Sequence, residues 1–407
     1  MSSDTPTPAR RADSPQNWRR RAAPTLFSYG FRPFFLGAGV VGLAAIALWL
    51  PMWEGHFALP SAFAPVDWHA HELLFGYLGA AMAGFLLTAI PNWTGRLPVA
   101  GRPLALLWSL WIAGRVAVAI SGVIGAVAAA TIDVAFLLAL AALAAREIVA
   151  GKNWRNLRVL SLVLFLGAAN IVFHVEAATQ GRAAYGTRMA IAGAVLLVSL
   201  IGGRIVPSFT RNWLARRGQG RLPAPFGRFD GATIAASAAA LGLWIILPEA
   251  RATAAALLIA GLMQALRLAR WAGERTGAEP LVWSLHLAYG FAPLGFLLCA
   301  VAIVAPDALA PTAALHAWTV GLVGLTTMAV MTRATRGHTG HALAADRATT
   351  LLYLLLMLAV AARVAAGVFP AASFALFHVA ALAWIGAMAL FLYMYAPMLT
   401  RARREPR

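Results

Sequence analysis

The stretch His69-Ala70-His71-Glu72-Leu73-Leu74-Phe75-Gly76-Tyr77-Leu78-Gly79-Ala80-Ala81-Met82-Ala83-Gly84-Phe85-Leu86-Leu87-Thr88-Ala89-Ile90-Pro91 decides the fold. After Glu72 it runs to Pro91 without a charged side chain, and at about 1.5 Å per residue it is long enough to cross a hydrocarbon core of about 30 Å. A helix on the surface of a soluble protein would show a polar face, and this one has none, so lipid and other apolar helices must surround it. Windows of the same kind fall at 33–52, 70–91, 103–121, 124–146, 157–177, 186–209, 229–248, 252–271, 280–304, 311–333, 348–369 and 373–397. The reading is an all-α polytopic membrane protein of about twelve transmembrane helices, with the lipid bilayer as its first partner.

Composition agrees. Of 407 residues 61% are hydrophobic and 12% charged, and the mean hydropathy is +0.73, outside the range of soluble domains. One membrane domain is expected over 33–400. It is flanked by a basic arm at 1–32, rich in Pro, Ser and Arg and expected to be disordered, and by a basic tail at 401–407. The first apolar run is too long for a signal peptide and lacks a small-residue cleavage site, so it reads as a retained first helix. Cys299 is the only cysteine, which excludes a disulfide framework and a thiolate metal site.

A net charge of +18 would suggest nucleic acid in a soluble protein. Here the arginines lie between apolar segments instead of forming one patch, so a nucleic-acid role is not expected. Loops on the side of the N-terminus hold Arg19, Arg20, Arg21, Lys152, Arg155, Arg158, Arg216, Arg217 and others. The opposite side offers Arg182, Arg188 and Arg251 against Glu54, Asp67, Glu72, Glu176, Glu249 and Asp307. By the positive-inside rule both termini are expected to be cytoplasmic, and an even number of spans agrees with their lying on one side.

The chain also matches itself. Tyr29-Gly30-Phe31-Arg32-Pro33 returns as Tyr289-Gly290-Phe291-Ala292-Pro293, and Ala113-Gly114-Arg115-Val116-Ala117 as Ala361-Ala362-Arg363-Val364-Ala365, eight helices later in each case. Ile90-Pro91-Asn92-Trp93-Thr94 resembles Val206-Pro207-Ser208-Phe209-Thr210, four helices later. Three parallel four-helix repeats follow, related by an axis along the membrane normal.

Ionisable groups inside spans cost at least about 2.5 kcal/mol each on insertion scales, so they need a partner, water or a metal. His69 and His71 open helix 2, His174 lies near the end of helix 5, and His316 and His378 lie in the outer third of helices 10 and 12. These five share one membrane level, with Glu72 and Glu176 beside them as second-sphere acceptors or ligands. His286, alone at the cytoplasmic start of helix 9, is a sixth metal-ligand candidate. Imidazole is a common ligand for haem iron and copper, but a single intramembrane histidine is more often a hydrogen-bonded packing residue, and a proton relay would use the same residue types. His69 and His71 diverge by about 200° around a helix, so one can face the bundle and the other its edge. Arg115 and Arg363 lie mid-span. Arg115 either pairs with Asp133 or, with Arg363, holds haem propionates; Arg363 has no evident acidic partner. No nucleotide-binding or hydrolase motif stands in a suitable context.

Phe31-Arg32-Pro33-Phe34-Phe35-Leu36, His69-Ala70-His71-Glu72-Leu73-Leu74-Phe75-Gly76-Tyr77 and Gly84-Phe85-Leu86-Leu87-Thr88-Ala89-Ile90-Pro91-Asn92-Trp93-Thr94-Gly95 together resemble the NnrS family. The resemblance implies a bacterial inner-membrane protein containing haem b and copper, active in denitrification or under nitric oxide stress. It marks His69 and His71 as a metal-binding element and nitric oxide as the small-molecule ligand. The expectation is a metalloprotein that binds nitric oxide or, as an oxidoreductase fed by an unknown electron donor, reduces it. A transporter or sensor for a metal, haem or small molecule would use the same histidines and would show helices broken at midspan.

Overall fold

A computed structural model describes residues 23–404. Twelve helices within it are long and apolar enough to cross a membrane: α1 (Phe31–Trp53), α2 (Pro65–Thr94), α3 (Arg102–Ala119), α4 (Ala126–Ala150), α5 (Trp154–Gln180), α6 (Ala184–Leu214), α7 (Arg228–Ile246), α8 (Arg251–Ala269), α9 (Pro280–Val304), α10 (Pro311–His338), α11 (Arg347–Ala365) and α12 (Pro370–Thr400). Among the described residues every regular element is helical. All twelve expected spans are present. Most of the arm expected at 1–32 lies outside the described residues, as does the end of the tail; residues 25–27 form a short 3-10 turn ahead of α1.

Boundaries differ where local chemistry outruns hydropathy. The second helix begins five residues before its apolar window, because Pro65 presets the backbone angle of the first turn and Asp67 sits at the positive end of the helix dipole. The eleventh ends at Ala365, earlier than the window suggests; Gly367 there lies against α10, where a Cβ would come within 2.3 Å of Ala313.

Three helices form an inner trio. In α2, α6 and α10, 83%, 72% and 67% of the apolar window is buried, against 33–50% in the other nine, and the three touch one another. They are the second, sixth and tenth spans, four apart in the chain. The other nine surround them, and their outward faces carry exposed apolar side chains such as Leu106, Val127, Ile259, Leu266 and Leu382. Such residues are costly in water and cheap against lipid tails. The ring is joined where the chain begins and ends. Arg32, at the start of α1, donates to the carbonyls of Leu399 and Arg401 at 2.8 and 2.7 Å, so α12 lies beside α1.

Two inner helices change winding without breaking. α2 is π-helical over Glu72–Tyr77 and α10 over Ala317–Leu325. Each wide segment begins directly after a histidine, His71 in one and His316 in the other. π-Helical turns are rare and concentrate at functional sites.

Candidate metal centres

The histidines at the face opposite the chain ends separate into two sites, and His69 and His71 stand on either side of the division.

The first site is a buried cluster between α2, α3, α4 and α5. His71 is fully buried, and Asp133 and His174 are 1% and 6% exposed. Asp133 organises the set. One of its oxygens, Oδ2, lies 3.1 Å from His71 Nε2 and 3.1 Å from His174 Nε2, and it accepts from Asn170 Nδ2 at 2.8 Å. The other, Oδ1, accepts from Arg115 Nη2. Arg115 Nη1 donates to Glu72 Oε1 at 2.7 Å, and the same Glu72 oxygen lies 3.3 Å from His71 Nδ1. Phe63, Phe75 and Phe173 close around the His71 ring at centroid distances of 5.2, 5.0 and 5.1 Å. Water is thereby kept from a densely hydrogen-bonded polar set, in which Arg115 Nε alone is left without a partner among the described residues.

Two glycines make room for it. A Cβ on Gly114 would stand 3.2 Å from the Asp133 Cα, so α3 and α4 approach closely enough for Arg115 to reach its carboxylate. A Cβ on Gly76 would come within 2.9 Å of Arg115 Nη1, where the guanidinium crosses α2.

Ligand atoms of His71, Asp133 and His174 all lie within 4.8 Å of one another, close enough to hold a metal ion. Charge favours a cation there. One guanidinium faces two carboxylates, and the imidazoles are neutral in their metal-binding form, so the set is one positive charge short of balance. A bound ion would replace the protons that Asp133 shares with the two imidazoles. Two nitrogens and one oxygen suit copper or zinc better than magnesium or calcium.

The second site is a cavity of about 220 Å³ between α1, α2, α6, α10, α11 and α12. Its walls are almost wholly apolar; His69, His316 and Arg363 supply its strongest polar groups. His316 Nδ1 lies 2.6 Å from the Thr312 carbonyl oxygen, which fixes the proton on Nδ1 and leaves Nε2 with a lone pair. The His69 ring stacks on Trp49 at 4.4 Å, and its Nδ1 is buried without a hydrogen-bond partner. Arg363 lies over the Phe377 ring at 4.5 Å and forms no ion pair among the described residues. An intramembrane guanidinium without a carboxylate is costly unless an anion joins it. Apolar walls, two imidazoles and a cation without an ion pair among the described residues are the donor types of a haem site, the cation being suited to a propionate. The residues present therefore fit a haem group.

The remaining candidates lie apart. His378 joins neither set; its Nε2 meets Glu54 Oε1 at 2.7 Å at the rim of α1 and α12, where it is 31% exposed. His286, at the other face, meets Thr210 Oγ1 at 2.7 Å and stands alone among the histidines. Glu176 is no ligand neighbour but a cap, accepting from the Tyr185 and Gly186 backbone N–H groups at the start of α6 at 3.0 and 2.7 Å. Arg115 is held by two carboxylates. Asn170, which sequence reading passed over, lies one turn before His174 on the same face of α5.

The fold and these sites describe a twelve-span membrane protein with a buried histidine-carboxylate centre beside an apolar histidine-lined cavity. The NnrS protein family matches residues 25–403, nearly the whole chain, and the protein belongs to that family. No curated protein matches it significantly.

Proposed function

We propose that this protein is a haem b and copper protein of nitric oxide metabolism or nitric oxide resistance. His69 and His316 would hold haem in the cavity, with Arg363 to meet a propionate, and His71, Asp133 and His174 would hold copper in the buried cluster. One observation carries the reading: two imidazoles and an unpaired guanidinium face the same apolar cavity. As packing residues they would leave the Arg363 charge uncompensated, with only the Phe377 ring beneath it; a haem propionate would compensate it.

Bound haem supplies an iron centre able to take a diatomic ligand. The chain's own contribution is the rest. His316, oriented by its bond to Thr312, would be one donor to the iron, the apolar walls would exclude water, and Arg363 would neutralise an acidic edge. Asp133, with Arg115 and Asn170 fixing its two oxygens, points one carboxylate at both imidazoles of the neighbouring centre. Nitric oxide, small and apolar, can reach the cavity through the bilayer. The histidine-bearing face is periplasmic, the chain ends are cytoplasmic, and the membrane is the bacterial inner membrane. The inner trio at four-helix spacing also supports reading the chain as three parallel repeats. α2 and α10 continue unbroken through their π-helical turns, so the interrupted spans of a carrier are not among the described helices.

The test is purification of the full chain in detergent, followed by its visible spectrum and metal content. The wild type is expected to carry both haem and copper. His71→Ala and His174→Ala should lose copper and keep haem, whereas Arg363→Met should shed haem on dilution and keep copper. A colourless, metal-free wild type would sink the proposal.

A further inference from the structure

We infer that the two cavity histidines are unequal: His316 is the permanent axial ligand, and His69 is the displaceable one whose release admits a diatomic ligand. This rests on the haem reading above, and the two can fail separately.

The inequality is in the hydrogen bonding. His316 donates its Nδ1–H to the Thr312 carbonyl, one turn back in its own helix, at 2.6 Å. That bond fixes the tautomer, aims the ring and makes Nε2 a stronger donor. His69 has no such anchor: its Nδ1 is buried and unpartnered. Its ring is held instead by stacking on Trp49, centroids 4.4 Å apart and planes at 29°. Stacking restrains tilt but allows sliding, so it costs the ring little to move. A metal-bound imidazole lacking an outer hydrogen-bond partner holds its metal roughly 10–100-fold less tightly than one that has it.

Trp49 completes the distal side. It lines the same cavity, and its Nε1–H is buried without an acceptor. A small ligand arriving where His69 had been would lie against the Trp49 ring face. The His316 side offers no such movable partner, because its ring is tied to the Thr312 carbonyl. The cavity therefore has a fixed side formed by α10 and a yielding side formed by α1 and α2.

The experiment uses purified full-length protein, with haem content and electron paramagnetic resonance reporting coordination, and carbon monoxide as the probe of the ferrous form. His69→Ala should keep the wild-type haem content, change from a low-spin to a high-spin signal, and bind carbon monoxide faster. His316→Gly should weaken haem retention about 10–100-fold, with added imidazole restoring it. Trp49→Leu keeps both imidazoles and removes the stack, so carbon monoxide binding should speed up at unchanged haem content; it serves as the second arm if a histidine variant fails to fold. Equal haem loss in the two histidine variants, the reverse pattern, or an unchanged carbon monoxide rate in Trp49→Leu overturns the inference. A wild type without haem overturns the functional proposal instead.

Discussion

The charge imbalance at the buried cluster makes Arg115 and Asp133 respond oppositely to neutralisation. Arg115→Met leaves Glu72 and Asp133 facing each other with no cation, in a site where Asp133 is 1% and Glu72 4% exposed. Removing one partner of a buried ion pair costs about 3–5 kcal/mol. Asp133→Asn keeps the shape and leaves Arg115 matched with Glu72 alone, a balanced pair. The cost is then the weakening of hydrogen bonds to a charged acceptor, about 1–2 kcal/mol. Metal binding should follow the other order, because Asp133→Asn removes an anionic ligand, and copper should be lost from that variant. Cys299 provides the assay: it is the only cysteine and is buried, so a thiol-reactive fluorogenic dye reports unfolding as the sample is heated. Arg115→Met should lower the midpoint on the order of 5–10 °C and Asp133→Asn about 2–4 °C, both measured on metal-free protein. If Asp133→Asn proves the more destabilising of the two, the cluster carries no excess negative charge and the reasoning is refuted.

Two further outcomes follow from contacts outside the metal centres. Arg32→Met removes the guanidinium that binds the carbonyls of Leu399 and Arg401. The loss should be about 2–4 kcal/mol by the usual worth of charged hydrogen bonds, read with the same dye, and an unchanged midpoint would show that apolar contacts alone join α1 to α12. Asp346 precedes α11 and accepts from Thr349 N–H at 2.8 Å and Arg336 Nη1 at 3.1 Å. Partial burial pushes its carboxyl up, but the Thr349 hydrogen bonds and Arg336 outweigh that and hold it below the usual carboxylate range. A depressed carboxylate contributes stability that is present above its unfolded value, about 3.9, and is lost as pH falls through the lower folded value. Asp346→Ala should therefore cost about 1 kcal/mol at neutral pH and nothing once the wild-type carboxylate is protonated; an equal loss at both pH values would contradict the cap.

The twelve spans were legible because membrane helices must satisfy their backbone internally and show apolar side chains to lipid, which writes each crossing into composition. Counting residues from a span end gives an expected level for His69, His71, His174, His316 and His378. Azimuth was not legible. The angular divergence of His69 and His71 was visible in the spacing, but which neighbour each would face depends on packing between helices far apart in sequence. His378, expected at the same level, points to the rim, towards Glu54. The pairing of Arg115 with Asp133 was readable as one of two alternatives, being the meeting of lone mid-span charges of opposite sign. That Asp133 also joins His71 to His174 was not, although Asn170 and His174, four residues apart on one face of an apolar helix, mark a polar stripe that needed a partner. The π-helical turns have no compositional signature and were not foreseen.

The junction of α1 with α12 also fixes the order in which the molecule can be completed. A chain made from its N-terminus leaves α1 without this neighbour until α12 has been synthesised, so the ring stays open while α2 to α11 are made. Ile46 and Trp49 from α1 and Phe377 and Trp384 from α12 line the cavity side by side. Until α12 seats, that cavity is a cleft open to the side, and α12 is the helix that shuts it.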